Sequence, residues 1–246
     1  MIDLRKGNCL EVMKTIKDDS IDAIICDLPY GTTQNKWDSI IDLPKLWEQY
    51  ERVIKDRGVI ILTASQPFTT TLIQSNIDLF KYDLVWHKRT PSGVLNAKKM
   101  PLRTHESILF FYKKLPIYNP IKTIAKHKCG VKSHKVDSTN YRTTEKMVEY
   151  KDKDMRYPTS IVDITGVVNN SKEKVKHPTQ KPIKLMEWLI KTYTNEGDLI
   201  LDNTMGSGST MVAAQNLKRN GIGIEQDEKY FKIAEQRIKE NEFKLF

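Results

Sequence analysis

The segment Ile24-Ile-Cys-Asp-Leu-Pro-Tyr30 is an apolar run that ends in an acid and passes through a proline into a tyrosine. A turn of this kind can hold a planar amine by its hydrogens. Asp27 accepts one N–H and the backbone carbonyl of Leu28 accepts the other, while Pro29 favours an extended Leu28 that aims this oxygen outward. Tyr30 offers a flat face for an aromatic base swung out of a stack. An aromatic amine is a poor nucleophile because its lone pair is delocalised into the ring, so a site that fixes both hydrogens redirects that pair. The same tetrapeptide also suits an ordinary strand-end turn with a packing tyrosine.

A second constellation lies near the C-terminus, where Ile200-Leu-Asp-Asn-Thr-Met-Gly-Ser-Gly-Ser-Thr210 reads as a strand ending in an acid, a glycine-rich turn and the start of a helix. Glycines there let backbone approach a ligand at the carboxyl end of a sheet. No lysine follows the second glycine, so this is not a P-loop, and Met211 at the sixth position breaks the dinucleotide fingerprint G-x-G-x-x-G. A further strand ends in Glu225, nineteen residues beyond Gly206, where a carboxylate can accept both ribose hydroxyls of a nucleoside cofactor. Alone, the loop could equally close an ordinary βα unit with Glu225 exposed.

Both turns need strands to carry them. Ile21–Cys26, Gly58–Thr63, Asp198–Asp202 and Gly221–Glu225 are short, apolar and bounded by turn formers, the pattern of buried parallel strands. Helical spacing of apolar residues marks Leu43–Lys55, Thr69–Ser75, Ile183–Tyr193, Thr210–Leu217 and Glu228–Glu240. Strand and helix alternate, which predicts an α/β fold with a doubly wound, mostly parallel sheet. Residues 115–176 break the alternation, being polar and rich in Lys, Thr and Tyr. The expected organisation is therefore a catalytic half at 1–114, an insertion at 115–176 and a cofactor-binding half at 177–246.

A chain of 246 residues buries one sizeable core with room for such an insertion. Its longest apolar runs, such as Val59–Leu62, fall far short of a membrane span, and Met1 is followed by Asp3, Arg5 and Lys6 rather than by a secretory signal, so the expectation is a soluble, cytoplasmic protein with no membrane partner. The net charge of +9 is unevenly placed: residues 81–181 hold 22 Lys or Arg against 9 Asp or Glu, and the remainder is net negative. A surplus confined to the middle is the footprint of a polyanion-binding face, although a solvated surface has the same composition. Cys9, Cys26 and Cys129 form no C-x-x-C pair, and His127, Cys129 and His134 match no common zinc spacing, so no metal is expected.

Asp27-Leu-Pro-Tyr30 resembles the D-P-P-Y motif, and Leu201-Asp-Asn-Thr-Met-Gly-Ser-Gly-Ser-Thr210 resembles the L-D-P-F-x-G-S-G-T motif, of amino-methylating DNA methyltransferases. His177-Pro-Thr-Gln-Lys-Pro182 resembles a third element of that family, associated with the methionine end of the cofactor. The catalytic motif precedes the cofactor motif, an order that resembles the β-class, in which the target-recognition region lies between them. The resemblance implies a Rossmann-like fold that binds S-adenosylmethionine through Asp202, Asn203, Thr204, Gly206, Gly208, Ser209, Thr210 and Glu225. It further implies cofactor contacts from Asp27, Thr179, Gln180 and Lys181, and from Asn8 with Cys9, where the family usually carries an Asp after the glycine. Leu28 departs from the first proline of the motif, and Asn203-Thr204 depart from Pro-Phe.

The resemblance implies double-stranded DNA as partner, with the target base flipped into the site, and it leaves room for a homodimer and a cognate restriction endonuclease. Methylation at cytosine C5 needs a thiolate in a Pro-Cys context, and no cysteine here follows a proline. Asp at the head of the motif resembles the adenine N6 enzymes more than the cytosine N4 ones. A DNA-binding protein that keeps the fold without turnover, and an enzyme acting on RNA, are the alternatives from other classes. Asn35, Lys36, Trp37 and Asp38 follow the catalytic turn closely enough to cover a flipped base, whereas Trp86-His87-Lys88 and His105-Glu106 are assigned no chemistry.

Overall fold

The computed structural model describes residues 1–31, 39–124 and 154–243. Strand β2 (Ile21–Asp27) lies inside an eight-stranded sheet, where Ile24 and Cys26 face one apolar layer while Ala23 and Ile25 face the other. Apolar side chains on both faces account for its unbroken hydrophobic run. On one side β2 pairs in parallel with β3 (Ile54–Ala64), and on the other with β9 (Leu199–Asp202). Beyond β9 follow β10 (Asn220–Glu225) and β1 (Ile2–Lys6), again parallel. Beyond β3 comes β5 (Arg103–Phe111), antiparallel to both β3 and β4 (Phe80–Ser92), and β8 (Ile161–Asp163) closes that edge parallel to β4.

The order is therefore β1-β10-β9-β2-β3-β5-β4-β8. From β9 the chain winds outward to β10, and from β2 it winds outward to β3, so the direction reverses between β2 and β9. At such a switch point the loops diverge and leave a crevice outside the carboxyl ends of the strands.

Two helical layers cover the sheet. Helices α1 (Cys9–Met13), α2 (Leu43–Val53) and α3 (Phe68–Ser75) supply Met13, Leu46, Trp47, Tyr50 and Leu72 to a core with Ile24, Ile60 and Leu62. Helices α4 (Ile183–Tyr193), α5 (Ser209–Asn216) and α6 (Glu228–Glu242) bring Leu185, Leu189, Met211 and Ala234 against Ile25, Ile61 and Ile200. Asp42 caps α2 by accepting from the Lys45 N–H at 3.3 Å, and Asp227 caps α6 by accepting from Lys229 at 2.9 Å and Tyr230 at 3.1 Å.

The helix expected over Leu43–Lys55 ends earlier, at Val53, because Ile54 turns extended and opens β3, and Lys55 Nζ donates to Asp22 Oδ1 at 2.7 Å across to β2. The described residues 120–124 and 154–159 fall in a unit separate from the main one and contain the antiparallel pair β6 (Thr123–Ile124) and β7 (Met155–Arg156). Of the stretch 115–176, residues 115–119 and 160–176 belong with the main unit, which takes β8 into its sheet. His127, Cys129 and His134 lie outside the described residues, as do Asn35, Lys36, Trp37 and Asp38. No helix among the described residues is long and apolar enough to cross a membrane.

Candidate active site

The tips of β2 and β9 are neighbours. Ala23 and Ile24 pair with Ile200 and Leu201, so the chains leaving Asp27 and Asp202 rise side by side, and the Thr204 hydroxyl donates to the Asp27 carbonyl at 3.1 Å. Deeper in, Asn203 Oδ1 accepts from the Cys26 thiol at 2.8 Å and from the Tyr50 hydroxyl at 2.6 Å, which fastens the glycine loop to β2 and α2. Above these tips opens a cavity of about 720 Å³.

One wall of the cavity is the turn Asp27, Leu28, Pro29 and Tyr30. Asp27 Oδ1 accepts from the Tyr30 hydroxyl at 2.7 Å and from the Thr63 hydroxyl at 2.5 Å, and Oδ2 accepts from Lys181 Nζ at 2.5 Å. The Tyr30 ring stacks on Phe68, with centroids 5.4 Å apart and planes at 26°. Burial, together with the nearby carboxylates of Asp27 and Glu106, pushes the Tyr30 hydroxyl well above its ordinary value, so it stays a donor. Among the described residues no hydrogen bond reaches the Leu28 carbonyl.

Lys181 is the link to the far strands. Its ammonium lies 3.3 Å from Glu106 Oε2, and Glu106 Oε1 accepts from Lys88 Nζ at 3.0 Å, which gives a chain of alternating charges from β4 through β5 to the tip of β2. Burial works against the ionised forms of both Lys181 and Glu106, but their neighbours prevail: Asp27 and Glu106 raise Lys181, while Lys181 and Lys88 lower Glu106. Both are charged at neutral pH.

The loop after β9 also lines the cavity. Glu225 Oε2 accepts from the Gly206 N–H at 3.0 Å, and its Oε1 accepts from the Asp227 N–H at 2.7 Å. Asp202 accepts from the Thr204 N–H at 3.1 Å, and burial pushes its carboxyl up to about 7 although the Thr210 hydroxyl and the Thr204 N–H pull the other way. Gly206 adopts φ +51, and a Cβ there would sit 2.8 Å from His177 Nε2, so only glycine lets the imidazole lie against the loop. Burial depresses the His177 imidazole to about 4, leaving it neutral at physiological pH.

A family model described as DNA methylase, of N6/N4 type, matches residues 21–236. The chain belongs to this family. Among curated relatives, the Type II methyltransferase M.HinfI of Haemophilus influenzae is 27% identical over 261 residues, spanning 96% of this chain and 67% of that protein. The DNA adenine methyltransferase YhdJ of Escherichia coli K12 is 30% identical over 246 residues, spanning 94% and 81%. Among solved structures, M1.HpyAVI in complex with SAM superposes with a TM-score of 0.67 at 25% identity, covering 97% of this chain and 99% of that one. The cytosine-N4-specific PvuII DNA methyltransferase superposes with a TM-score of 0.69 at 15% identity, covering 96% and 86%, a likeness of fold.

The DNA methylase cavity suits S-adenosylmethionine, on which this family depends. Asp27, Asp202 and Glu225 all line it, carboxyl groups that can accept from ribose hydroxyls and attract a sulfonium cation. Thr179, Gln180, Lys181, Asn203, Thr204, Ser209 and Thr210 also line the cavity, as do Asn8 and Cys9. Several of these side chains have structural occupations. Asn8 caps α1 by accepting from the Leu10 N–H at 2.9 Å, and Gln180 ties its own loop down, donating to the Glu173 carbonyl at 2.7 Å and accepting from the Val175 N–H at 3.0 Å. Lys181, expected at the cofactor, lines the cavity and turns its ammonium to Asp27 and Glu106.

Gly208 departs from expectation, since it does not line the cavity. It takes φ +78, and a Cβ there would lie 3.0 Å from Ala234 Cβ, so its smallness serves the packing of α5 against α6. Conversely, Thr63, Lys88 and Glu106 were assigned no role by the sequence, yet Thr63 donates to Asp27 and the Lys88–Glu106 pair reaches it through Lys181. The available signal was a Lys and a Glu interrupting β-branched and aromatic strands, but their meeting depends on the register Trp86↔Glu106.

Proposed function

We propose that this methylase transfers a methyl group to the N6 amine of adenine in double-stranded DNA, acting on a base turned out of the helix. The observation that carries the reading is the shared cavity: the Asp27–Tyr30 turn and the loop from Asp202 to Thr210 line it together and are joined by the Thr204 to Asp27 hydrogen bond. Bound S-adenosylmethionine supplies a methyl carbon already activated by its sulfonium, so no covalent nucleophile is required of the protein.

The lone pairs of Asp27 indicate how the amine is held. A carboxylate oxygen offers about two acceptor sites; Oδ1 already receives Tyr30 and Thr63, while Oδ2 receives only Lys181. Oδ2 therefore accepts one amine N–H and the Leu28 carbonyl the other. With both hydrogens held, the nitrogen lone pair faces the cofactor side of the cavity. Asp27 is also the nearest base for the proton the nitrogen sheds once its bond to carbon has formed.

Asp at the head of the turn, and the adenine methyltransferase YhdJ among the relatives, favour adenine over cytosine. We assign target recognition to the region 115–176, and the Type II relatives favour a cognate endonuclease in the same cell. The test is incubation with methyl-labelled S-adenosylmethionine and duplex DNA, followed by nucleoside analysis. N6-methyladenine is expected; N4-methylcytosine as the sole product overturns the base assignment, and methyl transfer to RNA alone overturns the substrate.

A further inference from the structure

The β4–β5 hairpin stands above the cavity. Ser107 pairs with Ala64, the last residue of β3, and β5 runs four residues further to Arg103 with β4 as its strand partner. At about 3.3 Å per residue, this lifts the end of the hairpin roughly 13 Å past the carboxyl edge of its parallel neighbours. Thr90, Pro91, Ser92 and Arg103, at the point where the two strands part, line the cavity.

The tip is built as few surface loops are. Gly93 at φ +83 turns the chain into a single 3-10 turn, Val94–Asn96, which presents Val94 and Leu95 outward at 68% and 99% exposure, with Met100 nearby at 51%. Scattered exposed apolar residues are ordinary, but three within seven residues at a projecting apex mark a contact surface. Between Arg89 and His105 there is no acidic residue, whereas Lys98, Lys99 and Arg103 are basic. Neither Lys98 nor Lys99 pairs with a carboxylate among the described residues.

An apolar apex with lysines beside it matches a DNA duplex at both levels: stacked bases inside, phosphates outside. The location selects DNA over a second copy of the chain, because the base of the hairpin, at Thr90–Ser92 and Arg103, lines the same cavity as the Asp27–Tyr30 turn. We propose that this tip enters the duplex next to the extruded base, with Leu95 and Val94 filling the space that the base vacates and Lys98 and Lys99 meeting the flanking phosphates. This rests on the base-extrusion reading above.

The test uses the full chain and a duplex carrying its methylated site, as mapped in modified genomic DNA, in two forms: fully paired, and with an abasic position opposite the target, which lowers the cost of extrusion. Leu95→Ser is expected to lower kcat/KM on the paired duplex by about tenfold or more and to recover to near wild type on the abasic duplex, with cofactor Kd unchanged. Lys98→Gln combined with Lys99→Gln is expected to weaken binding to both duplexes and to reduce the salt-dependence slope by about two. Equal losses from Leu95→Ser on the two duplexes, or no loss on either, overturn the proposal. So does a change in oligomeric state on light scattering that leaves paired-duplex methylation intact, which would make the tip a contact between copies. A wild-type protein that methylates neither duplex sinks the transferase reading itself, and the role of the tip with it.

Discussion

Lys181 places its ammonium 2.5 Å from Asp27 Oδ2 with only 9% of its side chain exposed, so the carboxylate at the tip of β2 carries a resident counter-ion inside the protein. The contact joins two motifs 154 residues apart in the chain. Its partner Glu106 keeps the cluster from carrying an excess positive charge, with Lys88 balancing Glu106 in turn.

Lys181→Met should therefore do more than remove a contact. It leaves Asp27 and Glu106 as part-buried carboxylates with less compensation, which destabilises the fold by about 3–5 kcal/mol. Methyl transfer should fall as well, and Lys181→Arg should restore part of both losses. Denaturant melts and a methylation assay check this; an unchanged rate would detach Lys181 from the chemistry.

Asp27→Asn keeps the shape of the side chain but loses the charge and an acceptor. Methyl transfer should fall on the order of 10²–10³-fold, as when a single preorganised polar group is removed from an active site. Calorimetric binding of S-adenosylmethionine should change little, because the loop after β9 remains intact.

Asp202 and His177 make opposite demands on pH. Asp202 has a folded value of about 7 against an ordinary 3.8, so between these limits the folded state holds the extra proton and stability falls as pH rises. His177 has a folded value of about 4 against 6.5, so there the unfolded state holds the extra proton and stability rises with pH. The two slopes oppose each other from about pH 4 to 6.5. In Asp202→Asn the His177 slope should stand out, with the urea midpoint climbing across this window. Cofactor affinity in the wild type should increase as pH passes through 7, since a sulfonium favours ionised Asp202; Asp202→Asn should flatten that rise.

Gly206→Ala places a methyl group against His177 and forces φ +51 on a residue with a Cβ. We expect a loss of about 1–2 kcal/mol in stability, from the left-handed backbone, and weaker cofactor binding as the loop shifts. Thermal unfolding and calorimetry would register the two effects separately. Gly208→Ala should cost stability with less effect on affinity, since that glycine faces Ala234 and not the cavity.

Much of the site was legible because its two turns sit at the ends of strands buried on both faces. Apolar runs closing on Asp27, Asp202 and Glu225 identify themselves by composition, and Ile183–Tyr193 has the same bounds in the sequence pattern and in α4. The edge of the sheet was harder. β4 mixes Trp86 and Leu84 with Lys88 and Arg89, and its charged residues gain a purpose only from cross-strand neighbours on β5. Lys181 was found through its motif, but its partner was not, because Glu106 lies in a different element and their meeting depends on how the loop before α4 returns to the sheet. Asn8 shows the converse: a residue placed at the cofactor by motif also has a helix to cap.

The seam between β2 and β9 brings together segments separated by 177 residues, from Cys26 to Asn203. Contacts this distant along the chain form late, since a long loop must close before any of them is rewarded. A growing polypeptide therefore holds the turn at Asp27–Tyr30 long before the loop that shares its cavity, and the lining of that cavity stays incomplete until Glu225 has been added to the chain.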